Sequence, residues 1–154
     1  MVGGVVLTQS FVARELIATA EYLLGKMDSI VAVCLDGKSD AVKAKKTIFK
    51  AIQSVDKGEG VLILTDLLGS SPSNLAFSFF DQAKIEVITG VNLPMVLTFW
   101  NYRNGRDLIE LAECVRLSGR RNILVARTLK EERIISSGNQ PDDKLVFGKK
   151  REEA

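Results

Sequence analysis

The 154-residue chain carries a formal net charge of +2, from 21 basic and 19 acidic residues, and 46% of its residues are hydrophobic. One domain with a buried core accounts for this length, and the near balance of charge does not indicate a nucleic-acid partner. The longest apolar run, residues 61–68, is interrupted by Asp66 and is shorter than the roughly 20 residues of a membrane span. Because the N-terminus also lacks a secretory pattern, we expect a cytoplasmic protein without direct membrane insertion.

Metal-ligating residue types are scarce. The 154 residues contain no histidine and two cysteines. Cys34 and Cys114 stand singly in apolar segments, which favours buried reduced thiols over a disulfide framework or a zinc site. We therefore expect no metal and no cofactor.

The first half of the chain alternates between strand-like and helix-like patterns. Apolar runs rich in β-branched residues at 2–8, 30–35 and 61–65 predict strands buried on both faces. Helical spacing of apolar residues predicts helices over 11–24, with Gly25 as the stop, and over 41–55.

The second half continues the alternation. The sequence predicts a helix over 75–80, a strand over 85–89, a helix ending near Trp100, a helix over 107–118 ended by Gly119, and a fifth strand over 123–126. Such alternation predicts an α/β protein with a mainly parallel open sheet and helices on both faces, in three layers. We expect a domain over residues 1–130 and a polar tail over 131–154, with a loop at 136–143 and a frayed charged end at 149–154.

The predicted helix over 41–55 contains a cluster of four lysines, Lys43, Lys45, Lys46 and Lys50. Such a cluster is either a patch for an acidic partner or a solvated helix face. The solvated face is the commoner case, and the sequence favours it.

Polar loops follow three of the predicted strands. Ligands of open parallel sheets bind beyond the carboxyl ends of the strands, so we expect these loops to share one edge. The loops begin at Gln9 and Ser10, at Asp66, and at residues 90–94, which include Asn92.

The loop at 69–74 has the composition of an anion-binding turn. Gly69 permits unusual dihedral angles, Ser70 or Ser71 can cap a helix, and Pro72 suits the first helical turn. Main-chain N–H groups at such a helix start favour a phosphoryl or carboxylate group, although a well-capped helix has the same composition. For Asp66, the residues leave two roles open: orienting a base or capping the following turn.

Two segments resemble a known family. Residues 64–74 read Leu-Thr-Asp-Leu-Leu-Gly-Ser-Ser-Pro-Ser-Asn, residues 87–95 read Val-Ile-Thr-Gly-Val-Asn-Leu-Pro-Met, and Asn101-Tyr102-Arg103 follows. The order and spacing resemble the enzyme IIA domain of the mannose class (mannose, fructose and sorbose) of the phosphoenolpyruvate-dependent sugar phosphotransferase system, from residue 2 to about residue 127. The resemblance implies four parallel strands plus one antiparallel strand, here 123–126, that is exchanged between the subunits of a homodimer.

The resemblance also implies a phosphoryl relay, in which a histidine accepts phosphate from the carrier protein HPr and passes it to a IIB domain. Gln9 occupies the histidine position, Asp66 the orienting position, and Gly69, Ser70 and Ser71 the phosphate-facing turn. A carboxamide is too weak a nucleophile to accept the phosphate. Because Ser10, Phe11 and Ser70 also replace the family's usual residues, the substitution at Gln9 is interpreted as natural rather than engineered.

Three hypotheses follow from these residues. The main one is an enzyme IIA-like protein that does not carry phosphate on histidine and acts as a regulatory or docking subunit. The second is a phosphoryl carrier that uses Asp66, Ser10 or Cys34 as the acceptor. The third is a small-molecule sensor at the carboxyl edge of the sheet, in which Gln9 and Asn92 would bind an amide or a sugar hydroxyl by hydrogen bonds. Across these hypotheses, the candidate anion- or ligand-binding residues are Gly69, Ser70, Ser71, Asn74, Ser10 and Asn92.

Overall fold

The computed structural model describes residues 1–36, 40–80 and 84–127, and Met1–Asn122 form one compact unit. Strands and helices alternate along this unit. The strands are β1 (Gly3–Gln9), β2 (Ile30–Leu35), β3 (Val61–Thr65) and β4 (Ile85–Thr89); the helices are α1 (Val12–Leu24), α2 (Ala41–Val55), α3 (Ser71–Phe77), α4 (Leu93–Tyr102) and α5 (Leu108–Arg121). The predicted α/β class is confirmed.

The four strands form one parallel sheet in the order β2-β1-β3-β4. Leu7 of β1 lies opposite Thr65 of β3, and Thr65 lies opposite Thr89 of β4, so the strands end at the same edge. The chain runs from β1 outward to β2 and then returns to place β3 on the other side of β1. Open α/β sheets bind their ligands at the carboxyl edge beside such a reversal, which here falls between β1 and β3.

Helices cover both faces of the sheet, which confirms the three predicted layers. On one face, Val6 and Leu64 pack in a cluster with Phe99 of α4, and this cluster also takes residues from α1 and α5. On the other face, Val5 and Ile63 pack with residues from α2 and α3. Neighbouring residues of one strand thus enter opposite cores, which explains why the strands read as continuous apolar runs.

The strand predicted at 123–126 is not formed in the described part of the chain. Residues 123–125 have no regular secondary structure, and residues 126 and 127 are helical. The prediction rested on a run of apolar residues with high β-propensity. Such propensity produces a strand only where a neighbouring strand takes its main-chain hydrogen bonds, so the local sequence was not sufficient.

The sequence predicts that Gly119 ends its helix, and this prediction is wrong. Helix α5 continues through Gly119 to Arg121. A Cβ atom at residue 119 would lie 2.7 Å from both Cγ and Sδ of Met95 in α4. The glycine is therefore a point of close approach between two helices rather than a helix stop.

The motif residue Arg103 has a structural role at the end of α4. Its guanidinium is buried against the ring of Trp100, with Cζ 3.6 Å from the ring centroid. Nη1 and Nη2 donate hydrogen bonds of 2.6 Å to the carbonyl oxygen and Oδ1 of Asp28. Arg103 thereby fastens α4 to the loop between α1 and β2.

Several predicted features lie outside the described residues. They are the tail over 131–154 with its loop and charged end, and the domain boundary at 130. None of the helices in the described ranges is long and apolar enough to cross a bilayer.

Candidate functional site

The site begins where β1 ends at Gln9. The next residue, Ser10, has a φ of 51°, and its N–H donates a 2.9 Å hydrogen bond to the carbonyl oxygen of Leu35 in β2. Oγ1 of the buried Thr8 accepts a 2.8 Å hydrogen bond from the N–H of Ala13 and so supports the first turn of α1. This tight reversal leaves Gln9 exposed at the edge of the sheet.

Asp66 joins the end of β3 to the end of β1. Its Oδ2 accepts a 2.7 Å hydrogen bond from the main-chain N–H of Gln9. Its Oδ1 accepts hydrogen bonds from the N–H of Leu67, at 2.7 Å, and from the hydroxyl of Ser70, at 3.0 Å. The carboxylate therefore organises the turn that follows β3 and also holds the main chain at Gln9.

These contacts favour the ionised form of Asp66. Partial burial opposes ionisation and by itself would raise the pKa of the carboxyl group. The hydrogen bonds donated by Gln9, Leu67 and Ser70 outweigh this effect and lower the pKa below the ordinary value of 3.8. Asp66 is a carboxylate at neutral pH.

The turn after Asp66 is closed by its own hydrogen bonds. Ser70 is the N-cap of α3, because its Oγ accepts a 3.3 Å hydrogen bond from the N–H of Ser73, and Pro72 lies in the first turn as predicted. The N–H of Gly69 donates to Oγ of Ser73, and the N–H of Ser70 donates to the carbonyl oxygen of Leu67, both at 3.0 Å. Two of the N–H groups considered for anion binding are thus used inside the turn.

Asn74 also contributes to the turn. Its Nδ2 donates a 3.4 Å hydrogen bond to the carbonyl oxygen of Gly69, and its N–H donates to the carbonyl oxygen of Ser70. The helix begins at Ser71 and ends at Phe77, earlier than the predicted range of 75–80, because the Ser70 cap starts it.

Two cavities adjoin Gln9. The larger has a volume of about 340 Å³ and is lined by Gln9, Ser10, Phe11, Cys34, Leu35 and Asp36. The smaller, of about 50 Å³, is lined by Gln9, Leu35, Asp36, Ala44, Ser71, Pro72 and Leu75. Of the sequence-predicted residues, Gln9 lines both cavities, Ser10 and the proposed acceptor Cys34 line the larger one, and Ser71 lines the smaller one.

Asn92 serves a different purpose from the residues that line these cavities. It is the N-cap of α4, and its Oδ1 accepts a 3.2 Å hydrogen bond from the N–H of Met95. Its Nδ2 donates a 3.3 Å hydrogen bond to the carbonyl oxygen of Gly119 in α5. Gly90, two residues earlier in the same loop, does reach the site, since its N–H donates a 2.7 Å hydrogen bond to the carbonyl oxygen of Asp66.

Sequence reasoning missed two features of the site. Asp36 lines both cavities, and its position directly after β2, at the carboxyl edge of the sheet, was the signal for it. Three large apolar side chains are also exposed next to the site residues: Phe11 is 61% exposed, Leu67 68% and Leu68 69%. We call Phe11, Leu67 and Leu68 the apolar rim.

The described residues contain no cluster of three or more histidine, cysteine, aspartate and glutamate side chains that could hold a metal ion. Cys34 and Cys114 are both free and half-buried.

The fold is that of phosphotransferase-system enzyme IIA proteins. The structure of component EIIA from Streptococcus agalactiae has a TM-score of 0.76 to this chain at 19% sequence identity, covering 83% of this chain and 99% of that one. The IIA protein associated with the fucose utilization operon of Streptococcus pneumoniae has a TM-score of 0.71 at 24% identity, covering 82% and 95%.

Residues 3–116 match the family described as PTS system fructose IIA component. The chain belongs to this family, the mannose class of enzyme IIA. It is 33% identical over 91 residues to the mannose-specific EIIAB component of Escherichia coli K12, and the match covers 58% of this chain and 28% of that protein. The chain is also 22% identical over 124 residues to the fructose-specific EIIA component of Bacillus subtilis, a match that covers 80% and 85%. The chain thus spans less than a third of the Escherichia coli protein.

Proposed function

We propose that this chain is an enzyme IIA-like protein of a phosphoenolpyruvate-dependent sugar phosphotransferase system that acts as a regulatory or docking subunit and does not carry phosphate on the family's acceptor position. The observation that carries the proposal is the residue at the end of β1. Gln9 stands there, beside Asp66 and the turn at Gly69–Ser71, and the 154 residues contain no histidine.

The chemistry of Gln9 supports the loss of transfer. The lone pair of an amide nitrogen is delocalised into the carbonyl group, so this side chain cannot attack phosphorus as an imidazole nitrogen does. Oδ2 of Asp66, the residue in the orienting position, accepts a hydrogen bond from the main-chain N–H of Gln9. The frame around the acceptor position is thus retained without a nucleophile.

The apolar rim supports a docking role. These side chains are exposed directly after the two site residues: Phe11 follows Gln9 by two positions, and Leu67 and Leu68 follow Asp66. Large exposed apolar side chains grouped at a site are typical of protein interfaces. We propose HPr and a IIB domain as the partners of this surface.

The assembly and location complete the proposal. We propose a cytoplasmic homodimer in which residues 123–126, which form no strand in the single chain, become an antiparallel strand on the sheet of the partner subunit. The edge strand β4 supports this arrangement, because Glu86, Val87, Ile88 and Thr89 are only half-buried in the single chain.

Docking is tested by titrating the protein into ¹⁵N-labelled HPr and recording its amide spectrum. Wild type is expected to shift a contiguous set of HPr resonances, and Leu68→Asp to abolish the shifts because it places a charge in the apolar rim. Leu23→Asp is the matched control, since Leu23 is an exposed leucine near the other end of α1. Equal loss in both variants, or no shift with wild type, contradicts the docking role.

A second candidate function is supported by the cavity of about 340 Å³ beside Gln9. Its lining combines the Phe11 ring with the polar groups of Gln9, Ser10 and Asp36, a combination that suits a small polar ligand with hydroxyl or amide groups. If the protein is a sensor of this kind, a panel of sugars and amides will include a compound that raises its melting temperature, and Gln9→Ala will remove the effect. A rise that persists in Gln9→Ala excludes this cavity as the sensor site.

A further inference from the structure

One face of α2 carries an unusual concentration of positive charge. Lys43, Lys45, Lys46 and Lys50 lie on this helix, and no acidic residue occurs between Ala41 and Val55. All four lysines are exposed, and within the described residues none of them forms an ion pair. A helix whose charges were merely solvated usually intersperses both signs, so this face is electrostatically unbalanced.

A groove adjoins this charged face. The cavity has a volume of about 270 Å³ and is lined by Lys45, Lys46, Phe49, Ser78 and Phe79. Phe49 is 45% exposed, although its neighbours in the helix turn, Lys45 and Lys46, are cationic. Phe79 is buried and forms an apolar wall. The groove therefore combines an accessible aromatic surface with two ammonium groups, and it lies apart from the cavities that contain Gln9.

We propose that this groove, which we call the α2–α3 groove, binds an acidic segment of a partner protein that inserts one large apolar side chain. Charge complementarity identifies the chemistry of the occupant: carboxylates pair with Lys45 and Lys46, while the apolar side chain covers Phe49 and contacts Phe79. Ser78 lines the same groove, and because its hydroxyl already donates a 2.7 Å hydrogen bond to the carbonyl oxygen of Leu75, it is left to accept a hydrogen bond from a main-chain N–H of the segment.

A peptide segment fits this surface better than a nucleic acid or a membrane. The groove is a shallow depression with room for one or two side chains, and its lining mixes ammonium groups with aromatic rings, whereas membrane association of a helix requires a broad apolar face. Nucleic-acid binding calls for a more basic protein than one with a formal net charge of +2.

The experiment measures fluorescence anisotropy of a fluorescein-labelled peptide in which one phenylalanine is flanked on both sides by aspartate and glutamate. We expect saturable binding that weakens as salt is added. Lys45→Gln/Lys46→Gln is expected to raise the Kd about tenfold. Lys26→Gln/Lys57→Gln, which removes the same charge from exposed lysines outside α2, is expected to leave the Kd unchanged.

The apolar contact has its own pair of variants. Phe49→Ala is expected to raise the Kd about fivefold, because it removes the exposed aromatic surface of the groove. Phe80→Ala is the control, since Phe80 is 49% exposed but does not line the groove. Peptides with alanine in place of phenylalanine, or lysine in place of the acidic residues, test the same two contacts on the unaltered protein.

Three results would overturn the proposal. The first is no binding of the acidic peptide to wild type. The second is equal weakening by the two lysine pairs, which would show that only overall charge matters. The third is sedimentation with phosphatidylserine vesicles, or binding to an RNA oligonucleotide, without peptide binding, which would assign the lysines to another kind of partner.

Discussion

The main-chain N–H of Gln9 donates a 2.7 Å hydrogen bond to Oδ2 of Asp66, which joins the ends of β1 and β3 at the point where the sheet reverses its strand order. The bond fixes the main chain at Gln9, the residue that we propose stands in place of the family's phosphate acceptor. A carboxylate therefore holds the geometry at the end of β1, where the side chain is a carboxamide.

Replacing Asp66 by asparagine tests its structural role. One oxygen acceptor would become an amide donor facing N–H and O–H donors, so we expect Asp66→Asn to lower the free energy of unfolding by about 1–2 kcal/mol. Urea unfolding at neutral pH measures the change. Asp56→Asn is the control, because Asp56 accepts a 2.8 Å hydrogen bond from Gly58 in an exposed turn, and its replacement should cost less. Equal costs for the two variants would contradict this role for Asp66.

The lowered pKa of Asp66 predicts a pH dependence of stability. The folded state holds the pKa of Asp66 below 3.8, so the ionised carboxylate stabilises the fold at pH values above the pKa that Asp66 has in the unfolded chain. This stabilisation disappears as the pH falls through the pKa of Asp66 in the folded state. The difference in unfolding free energy between wild type and Asp66→Asn should be constant from about pH 7 to about pH 5 and should shrink on further acidification. A difference that grows on acidification would show the opposite shift.

The backbone of Ser10 is strained. Its φ of 51° is in the left-handed region, which costs a residue with a Cβ atom more than it costs glycine. We expect Ser10→Gly to raise the free energy of unfolding by about 0.5–1 kcal/mol. Ser78→Gly, at a residue with a φ of −67°, should instead destabilise the protein. Destabilisation by both variants would mean that the side chain of Ser10 contributes more than its strain costs.

The contact between α4 and α5 depends on Gly119. Adding a methyl group there would bring Cβ to 2.7 Å from Met95, so we expect Gly119→Ala to cost about 1–3 kcal/mol by overpacking. If the clash is the cause, the double variant Gly119→Ala/Met95→Ala will lose less stability than the sum of the single variants. Additive losses in thermal or urea unfolding would indicate another cause.

Periodicity was sufficient to predict most of the fold. β2, α2, β3 and β4 have the predicted bounds, because each is a short apolar run or a helical pattern with clear ends. Gly119 was misread because the sequence shows a glycine but not the helix that lies against it. The strand predicted at 123–126 is not formed in the single chain, because a strand needs a neighbour that takes its main-chain hydrogen bonds, and its pairing with a second subunit stays a prediction.

The site could be predicted in position but not in its hydrogen bonds. The rule that loops meet at the carboxyl edge brought Gln9 and Asp66 together, and the structure joins them directly. The hydrogen bonds themselves depend on distances of a few tenths of an ångström, which no sequence pattern contains. Asp66 accepts a hydrogen bond from the main chain of Gln9, and the N–H groups of Gly69 and Ser70 donate within their own turn.

The central claim is tested most directly by incubating the purified protein with phosphoenolpyruvate, enzyme I and HPr and measuring its intact mass, beside a Gln9→His variant, with any histidine tag removed. In the variant, a nitrogen–phosphorus bond forms to the new imidazole as the phosphoryl group leaves phosphorylated HPr, so its mass should rise by one phosphate. Wild type should gain none. Phosphate on wild type would contradict the account and direct the search for an acceptor to Asp66, Ser10 or Cys34, whereas no gain in Gln9→His would contradict an intact docking surface.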